Sequence, residues 1–288
     1  MHVLVTGGRG MLGKSVLKKC KKKGDKLFVA DLPEIDVTDE KSVKNCFLRV
    51  APDVVIHAAA FTDVDGAETE EEKAFAVNFW GTENVAKEAK ACGAKMVYIS
   101  TDYVFSGDGD TPWKTEDTPA PVNVYGKSKL AGERAVARIL DNFFIVRTAW
   151  LFGEGKNFVR TMLNLGRERL KISVVCDQYG SPTFADDLGE FLSELIHTER
   201  YGVYHVTNSG YCSWAQFAKE IFSMASEFDG RYKSVIVEEI LGERYPTKAK
   251  RPKNGRLDKS KLEQNGFRPL PHYTDGLKRY LEQVWKNS

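Results

Sequence analysis

The chain has 288 residues, which is enough for one large domain or two modest domains with a substantial buried core. Its formal net charge of +2 is too small to indicate a nucleic-acid partner, and no apolar run reaches membrane-spanning length. The five cysteines are scattered, without the spacings of a zinc site or a disulfide framework. We therefore expect a reduced, cytoplasmic protein with no metal site and with neither a membrane nor a nucleic-acid partner.

The first predicted elements are a short apolar strand at residues 3–5, a glycine-rich loop and a helix. Glycines in a Gly-x-x-Gly-x-x-Gly spacing allow a tight turn and let a pyrophosphate approach the amides of the helix N-terminus. The position of this loop between a first strand and a first helix predicts a dinucleotide site. Its predicted cofactor-binding residues are Gly7, Arg9, Gly10, Met11, Leu12 and Gly13.

A second predicted strand, at residues 26–30, ends at Asp31, where a carboxylate can bind the hydroxyls of the adenosine ribose. That carboxylate would repel a 2′-phosphate and favour NADH, whereas the guanidinium of Arg9 would attract the phosphate and favour NADPH. Because these two signals conflict, the sequence leaves both cofactors open. Asp36 and Val37 extend the predicted cofactor site.

Strands and helices continue to alternate along the first half of the chain. The pattern predicts an N-cap at Thr38, further strands at 53–56, 95–101 and 142–147, and helices near 73–92 and 127–140. Such alternation predicts an α/β, Rossmann-type, doubly wound parallel sheet whose ligands lie beyond the carboxyl ends of the strands. Small residues follow the third strand and would admit a cofactor; these are Ala58, Ala59 and Ala60.

Tyr125 and Lys129 lie four residues apart in a segment of good helix-forming composition, so their side chains share a helix face. A nearby ammonium favours the phenolate and lowers the pKa of a tyrosine. This pairing makes Tyr125 a candidate proton donor to a carbonyl. The pair taken alone is also compatible with an ordinary exposed helix face.

Three motifs follow one another in order: the glycine loop, Ser-Thr-Asp-Tyr-Val-Phe at 100–105 and Tyr-Gly-Lys-Ser-Lys at 125–129. With these motifs the chain resembles the extended short-chain dehydrogenase/reductases and, within them, the dTDP-4-dehydrorhamnose reductase family. The resemblance runs nearly end to end and includes residues 147–150, 177–183 and 251–258. It implies a nucleotide-sugar substrate, dTDP-4-dehydro-L-rhamnose, which NADPH or NADH would reduce to dTDP-L-rhamnose.

The resemblance also implies roles for single residues. Tyr125 would be the general acid, Lys129 would lower its pKa and hold the nicotinamide ribose, and Thr101 would hydrogen-bond the ketone oxygen. Asn78 would support the nicotinamide region. The guanidinium groups of Arg251 and Arg256 suit a substrate diphosphate, although solvated loop charges are the alternative. The full set of expected substrate-binding residues is Thr101, Asp102, Tyr103, Trp150, Arg251 and Arg256.

The chain departs from the common family pattern at two positions. Phe61 stands where many relatives have a histidine, and Gly255 replaces a frequent serine. Both are expected to adjust substrate or subunit contacts rather than the catalytic set.

Beyond about residue 172 the sheet pattern weakens. We expect a dinucleotide-binding Rossmann domain over 1–172, rejoined by a strand near 202–206, and a smaller substrate-binding domain mainly over 173–288. An amphipathic helix at 213–222 has Ser213 as its expected cap, and its apolar stripe, which starts at Trp214, most simply belongs to the core. The oligomeric state stays open, with a homodimer as one candidate.

Two other functions are compatible with these observations. The first is a reductase or epimerase that acts on a different nucleotide-sugar. The second is a non-catalytic regulatory subunit of the same fold, similar to the beta subunit of methionine adenosyltransferase. The intact set of Thr101, Tyr125 and Lys129 favours catalysis, since a regulator has no evident need for all three.

Overall fold

The computed structural model describes residues 1–286. Strands and helices alternate over most of this length. The strands are β1 (His2–Thr6), β2 (Lys26–Ala30), β3 (Val54–His57), β4 (Lys95–Thr101), β5 (Phe143–Thr148), β6 (Leu151–Phe152), β7 (Lys171–Val175), β8 (Tyr179–Gly180), β9 (Thr183–Phe184), β10 (Gly202–His205), β11 (Asn208–Ser209), β12 (Cys212–Ser213), β13 (Ile236–Ile240) and β14 (Leu270–His272).

The helices pack mainly on the two faces of the largest sheet and in a smaller second core. The α-helices are α1 (Met11–Lys22), α2 (Glu40–Val50), α3 (Val64–Ala67), α4 (Glu71–Phe75), α5 (Thr82–Cys92), α6 (Val124–Ile139), α7 (Phe158–Glu168), α8 (Ala185–Leu195), α9 (Trp214–Ala225), α10 (Ser260–Gln264) and α11 (Tyr273–Lys286). No helix within residues 1–286 combines the length and apolar character that a bilayer span requires.

Six parallel strands form the central sheet in the order β10-β5-β4-β3-β1-β2. One face of the sheet is covered by α1 and α8, and the other by α2, α5 and α6. This arrangement confirms the predicted Rossmann-type doubly wound fold. The strand order reverses between β1 and β3, which is the topological switch point where ligands bind in such sheets.

A second core lies beside the sheet and is built largely from α7, α9 and α11. Short two-stranded pairings surround it, including the parallel pair of β7 and β13 and the antiparallel pair of β8 and β12. This core takes residues from both sides of residue 172, while α8 and β10 lie with the central sheet. The division of the chain near residue 172 therefore stays a prediction.

The predicted strands are found within one residue of their expected ends, but some helix ends differ. Asp39, not Thr38, is the N-cap of α2, because the Asp39 carboxylate accepts the hydrogen bond from the Lys41 amide. The Thr38 hydroxyl instead donates to Asp36. The helix expected near 73–92 is interrupted by a π-helical segment at Ala76–Gly81, a feature that is frequent at functional sites.

Candidate active site

A cavity of about 890 Å³ lies at the carboxyl ends of the central strands, on both sides of the switch point. This volume is in the range of cofactor and substrate sites. Most residues expected at the site line the cavity, although they come from distant parts of the chain. Those that line it are Gly7, Arg9, Gly10, Met11, Leu12, Gly13, Asp31, Asp36, Val37, Ala58, Ala59, Ala60, Thr101, Asp102, Tyr103, Tyr125, Lys129 and Trp150.

The glycine loop after β1 fits a dinucleotide pyrophosphate. Gly7 has φ +69°, and a Cβ atom there would lie 2.6 Å from the Ala59 amide nitrogen. A larger residue would therefore displace the loop that follows β3. At the start of α1, Gly10 offers no capping side chain, and the first turn holds no acidic residue among those described. The amides at this helix end are therefore available to an anion.

Asp31 and Arg9 meet at the end of β2, where the adenosine ribose is expected. The Asp31 carboxylate accepts a 2.6 Å hydrogen bond from the Arg9 amide. The Arg9 guanidinium pairs with Glu34 at 2.5 Å and donates to the Leu32 carbonyl at 2.7 Å. Because the Arg9 and Glu34 side chains are each about half exposed, this ion pair contributes little energy and leaves Arg9 free to meet a ligand.

Asn78 lies behind the cavity wall rather than in it, within the π-helical segment. Its side chain accepts from the Phe61 amide at 2.8 Å and donates to the Phe61 carbonyl at 3.0 Å. It also donates to the Ser128 hydroxyl on α6 at 3.0 Å. Asn78 thus holds the loop that follows β3 against the helix that carries Tyr125. Asn78 therefore supports the site by fixing the backbone of Phe61, not by lining the cavity.

Tyr125 lies in the first turn of α6, which Asn123 caps through the Gly126 amide. The phenol is partly exposed to the cavity, but burial by the surrounding protein raises the pKa of Tyr125 above its ordinary value. The Asp102 carboxylate adds to this increase, whereas a hydrogen bond from Thr101 opposes it. Burial likewise raises the pKa of Asp102 to about 7, against the hydrogen bond from the Thr101 hydroxyl at 3.0 Å.

Lys129 is buried one turn further along α6. Its Nζ atom lies 4.1 Å from the ring centroid of Tyr98, which is the distance of a cation–π contact. Burial lowers the pKa of Lys129 to about 7, and the nearby Glu133 carboxylate opposes this decrease. Burial of the phenol is the largest effect on the Tyr125 pKa in this structure, and it is opposite in direction to the lowering expected from Lys129.

Trp150 follows β5 and lines the cavity from the side of the second core. Its backbone has φ +47°, in the left-handed region that bulky residues rarely adopt. Its indole ring stacks on that of Trp214. The apolar stripe of α9 therefore extends to the site: Trp214 is only partly buried, while Phe217 and Ile221 belong to the second core as expected.

Comparison with known proteins agrees with this geometry. Residues 1–285 match the family described as RmlD substrate binding domain. A dTDP-4-dehydrorhamnose reductase from Sinorhizobium fredii is 37% identical over 98% of this chain and 97% of its own length. The spore coat polysaccharide biosynthesis protein SpsK of Bacillus subtilis is 39% identical over 98% of this chain and 97% of its own.

The solved structure of dTDP-4-dehydrorhamnose reductase from Bacillus anthracis in complex with NADP is also similar. It superposes with a TM-score of 0.93 at 42% identity and covers 98% of both chains. The chain belongs to the dTDP-4-dehydrorhamnose reductase family. Its likeness to these relatives extends over both cores and is not restricted to the nucleotide-binding half.

Two arginines expected in the substrate site of this reductase-family member lie outside the cavity lining. Arg251 donates to the Tyr103 hydroxyl at 3.1 Å and pairs with Asp65 at 2.6 Å, so it adjoins the site through Tyr103. The Arg256 guanidinium lies 4.5 Å from the ring centroid of Tyr179. Of the two, Arg251 is better placed to meet a ligand.

Gly255, one of the two departures from the family pattern, packs directly against the site. A Cβ atom there would lie 2.5 Å from Oδ2 of Asp102. A serine at this position would therefore require the Asp102 carboxylate to move. Phe61, the other departure, lines the cavity itself.

Several residues of this reductase-family site were missed by sequence reasoning. Most adjoin a predicted position in the chain, so a wider window around each motif would have included them. Lys156 follows no recognised motif and is the clearest omission. The missed lining residues are Ala30, Leu32, Ile35, Thr62, Val64, Val77, Ile99, Ser100, Thr148, Ala149, Leu151 and Lys156.

Proposed function

We propose that this protein uses NADPH or NADH to reduce the C4 ketone of dTDP-4-dehydro-L-rhamnose to the alcohol of dTDP-L-rhamnose. The observation that carries the proposal is the convergence of Thr101, Tyr125 and Lys129 on a cavity that also contains an uncapped helix N-terminus. The reductase name of relatives at 37% identity and above supports the substrate, and the NADP complex of one of them supports the cofactor.

Cofactor binding would use the switch point of the sheet. The amides at the start of α1 would hold the pyrophosphate, and Asp31 and Arg9 would meet the adenosine ribose and any 2′-phosphate. Lys129, on the α6 side of the cavity, would hold the nicotinamide ribose. The bound dihydronicotinamide supplies the hydride that the ketone carbon accepts.

Tyr125 would donate the proton that the reduced oxygen needs. Its raised pKa keeps the phenol protonated at neutral pH, which is the form that a general acid requires. The Thr101 hydroxyl would hydrogen-bond the same oxygen as negative charge develops there. A preorganised donor in this position stabilises the transition state more strongly than it stabilises the bound ketone.

The nucleotide-sugar would occupy the part of the cavity that faces the second core. Trp150 provides an apolar wall, and Asp102 and Tyr103 provide polar groups for the sugar hydroxyls. Arg251, beside Tyr103, is positioned to attract the diphosphate. In this assignment Arg251 is the contact to the diphosphate that comes from the part of the chain after residue 172.

A spectrophotometric assay with dTDP-4-dehydro-L-rhamnose, run separately with NADPH and NADH, tests the proposal. We expect cofactor oxidation that depends on the sugar and a product that co-migrates with dTDP-L-rhamnose. If the cofactor is oxidised only with a different 4-keto nucleotide-sugar, that sugar is the substrate instead. Cofactor binding without oxidation on any such sugar would instead favour the regulatory-subunit hypothesis.

A further inference from the structure

Glu133 lies one helical turn after Lys129 on α6, and the proposed reaction does not use it directly. Both side chains are almost completely buried, with 4% and 2% of the residue surfaces exposed. The Glu133 carboxylate accepts hydrogen bonds from Nε and Nη2 of Arg147 on β5, at 2.9 and 2.7 Å. It also accepts one from the Ser100 hydroxyl on β4 at 2.5 Å. A buried carboxylate therefore has fixed partners directly beneath the catalytic face.

Arg147 fixes this carboxylate in position. Its guanidinium is also buried, its centre lies 5.1 Å from the ring centroid of Phe105, and its Nη1 atom lies 3.4 Å from the His205 ring nitrogen. Burial and the nearby Arg147 charge together lower the pKa of His205 to about 3, so the ring is neutral. Glu133 is thus paired directly with Arg147 and follows Lys129 by one turn of the same helix.

Among the described residues, three other titratable groups near the Lys129 ammonium are uncharged at neutral pH, namely Tyr98, His57 and Tyr125. Tyr98 on β4 presents its ring face to the ammonium, and its hydroxyl donates to the Lys129 carbonyl at 3.2 Å. Burial lowers the pKa of His57 on β3 to about 3, so this ring is also neutral. Tyr125, one turn before Lys129, is a protonated phenol. Of these neighbours, only Glu133 favours the charged form of Lys129 by direct ion attraction.

We propose that Glu133 is a positioning residue that acts through Lys129 by keeping the Lys129 side chain charged beneath the cavity. Arg147 and Ser100 hold the Glu133 carboxylate, and the ring of Tyr98 supports the ammonium from the sheet. Buried lysines lose their proton readily unless an anion compensates for the lost hydration. The catalytic consequence rests on the proposed function, whereas the effect on Lys129 does not.

The ammonium can be titrated directly by NMR of ¹³Cε-labelled lysine in the full chain, with Lys129 assigned from the signal that Lys129→Met removes. In Glu133→Gln we expect the Lys129 pKa to fall by about one unit or more, a tenfold change in the protonation equilibrium. The matched control is Glu83→Gln, which removes another buried carboxylate paired with an arginine, Arg138 at 2.9 Å. Its Lys129 pKa should equal that of the wild type.

Glu133→Gln leaves Arg147 buried without its anion and can therefore destabilise the fold. The double variant Glu133→Gln, Arg147→Met removes both charges, so neither is left buried without its partner. The Lys129 pKa can then be measured even if the single variant does not fold. Its Lys129 pKa should also fall, by less than in the single variant because the repulsion from Arg147 is removed too. A Lys129 pKa that stays at the wild-type value in both variants overturns the proposal, whether or not the protein turns over a sugar.

The second measurement is the pH dependence of kcat/KM, which reports ionisations of the free enzyme. Because Lys129 is charged below its pKa, activity that needs the ammonium falls as the pH rises through that pKa. Glu133→Gln should move this alkaline limb to lower pH by the same shift that NMR measures, and Glu83→Gln should leave it in place. If kcat/KM instead falls by the same factor at all pH values and the alkaline limb does not move, Glu133 contributes only to the stability of the fold.

Discussion

The indole rings of Trp150 and Trp214 lie face to face, with centroids 3.4 Å apart and planes 8° from parallel. The two residues are far apart in the chain, one after the central strand β5 and the other at the start of α9. Gly180 packs against the same Trp150 ring, because a Cβ atom there would lie 2.5 Å from indole Cε2. The second core therefore packs against the Trp150 indole, and one face of that ring is unavailable to substrate.

This contact predicts that Trp214 acts on substrate binding through Trp150. In Trp214→Ala the Trp150 ring loses its stacking partner, and we expect KM for the nucleotide-sugar to rise about tenfold, or ~1.4 kcal/mol. Trp214→Phe should retain most of the effect of the wild-type ring. Trp285→Ala is the matched control, since Trp285 packs on Phe228 and Tyr232 elsewhere in the same core. Equal KM changes in Trp214→Ala and Trp285→Ala would attribute the effect to general destabilisation.

Tyr125→Phe is expected to lower kcat by roughly 10²–10⁴-fold, because the variant lacks the proton that the reduced oxygen must receive. NADPH binding, measured by fluorescence titration, should change little because the aromatic ring remains. Thermal stability should also be close to that of the wild type. Turnover near the wild-type rate would show that another group supplies the proton.

Arg9→Ala is expected to separate the two cofactors. Arg9 lies beside Asp31 where a 2′-phosphate would bind, and its partner Glu34 is exposed. Removal of the guanidinium should raise the Kd for NADPH about tenfold, the size of one lost charge-assisted contact, and leave the Kd for NADH nearly unchanged. Calorimetric titration with each cofactor measures both values. Equal weakening of the two would place Arg9 at the shared pyrophosphate instead.

The two arginines of the segment at residues 251–258 should differ in effect. Arg251→Ala removes a cation that contacts Tyr103 on the cavity wall, and we expect about tenfold weaker binding of dTDP or the nucleotide-sugar. Arg256→Ala removes a cation stacked on Tyr179 and should weaken binding less. Competition of dTDP with the substrate measures both. A larger loss in Arg256→Ala would reverse the assignment of the diphosphate contact.

Local sequence patterns were sufficient to predict the strands, loop and helix that carry the cofactor site. The strand that ends at Asp31, the glycine loop and the helix bearing Tyr125 and Lys129 depend on residue spacing over one or two turns. Such spacing determines which side chains share a helix face or follow a strand end. Parallel strands then bring these ends to one edge of the sheet. The expected convergence of the site followed from this topology.

Other features of the site depend on residues that are distant in sequence. The stacking of Trp214 on Trp150 and the fit of Gly255 beside Asp102 have no local signature, because packing joins segments from different parts of the chain. The sequence alone determined the fold class, the cofactor loop and the Tyr125–Lys129 pair. Only the tertiary structure decided that burial raises the pKa of Tyr125 and that Lys129 lies near the Glu133 anion, since desolvation depends on everything packed around a group.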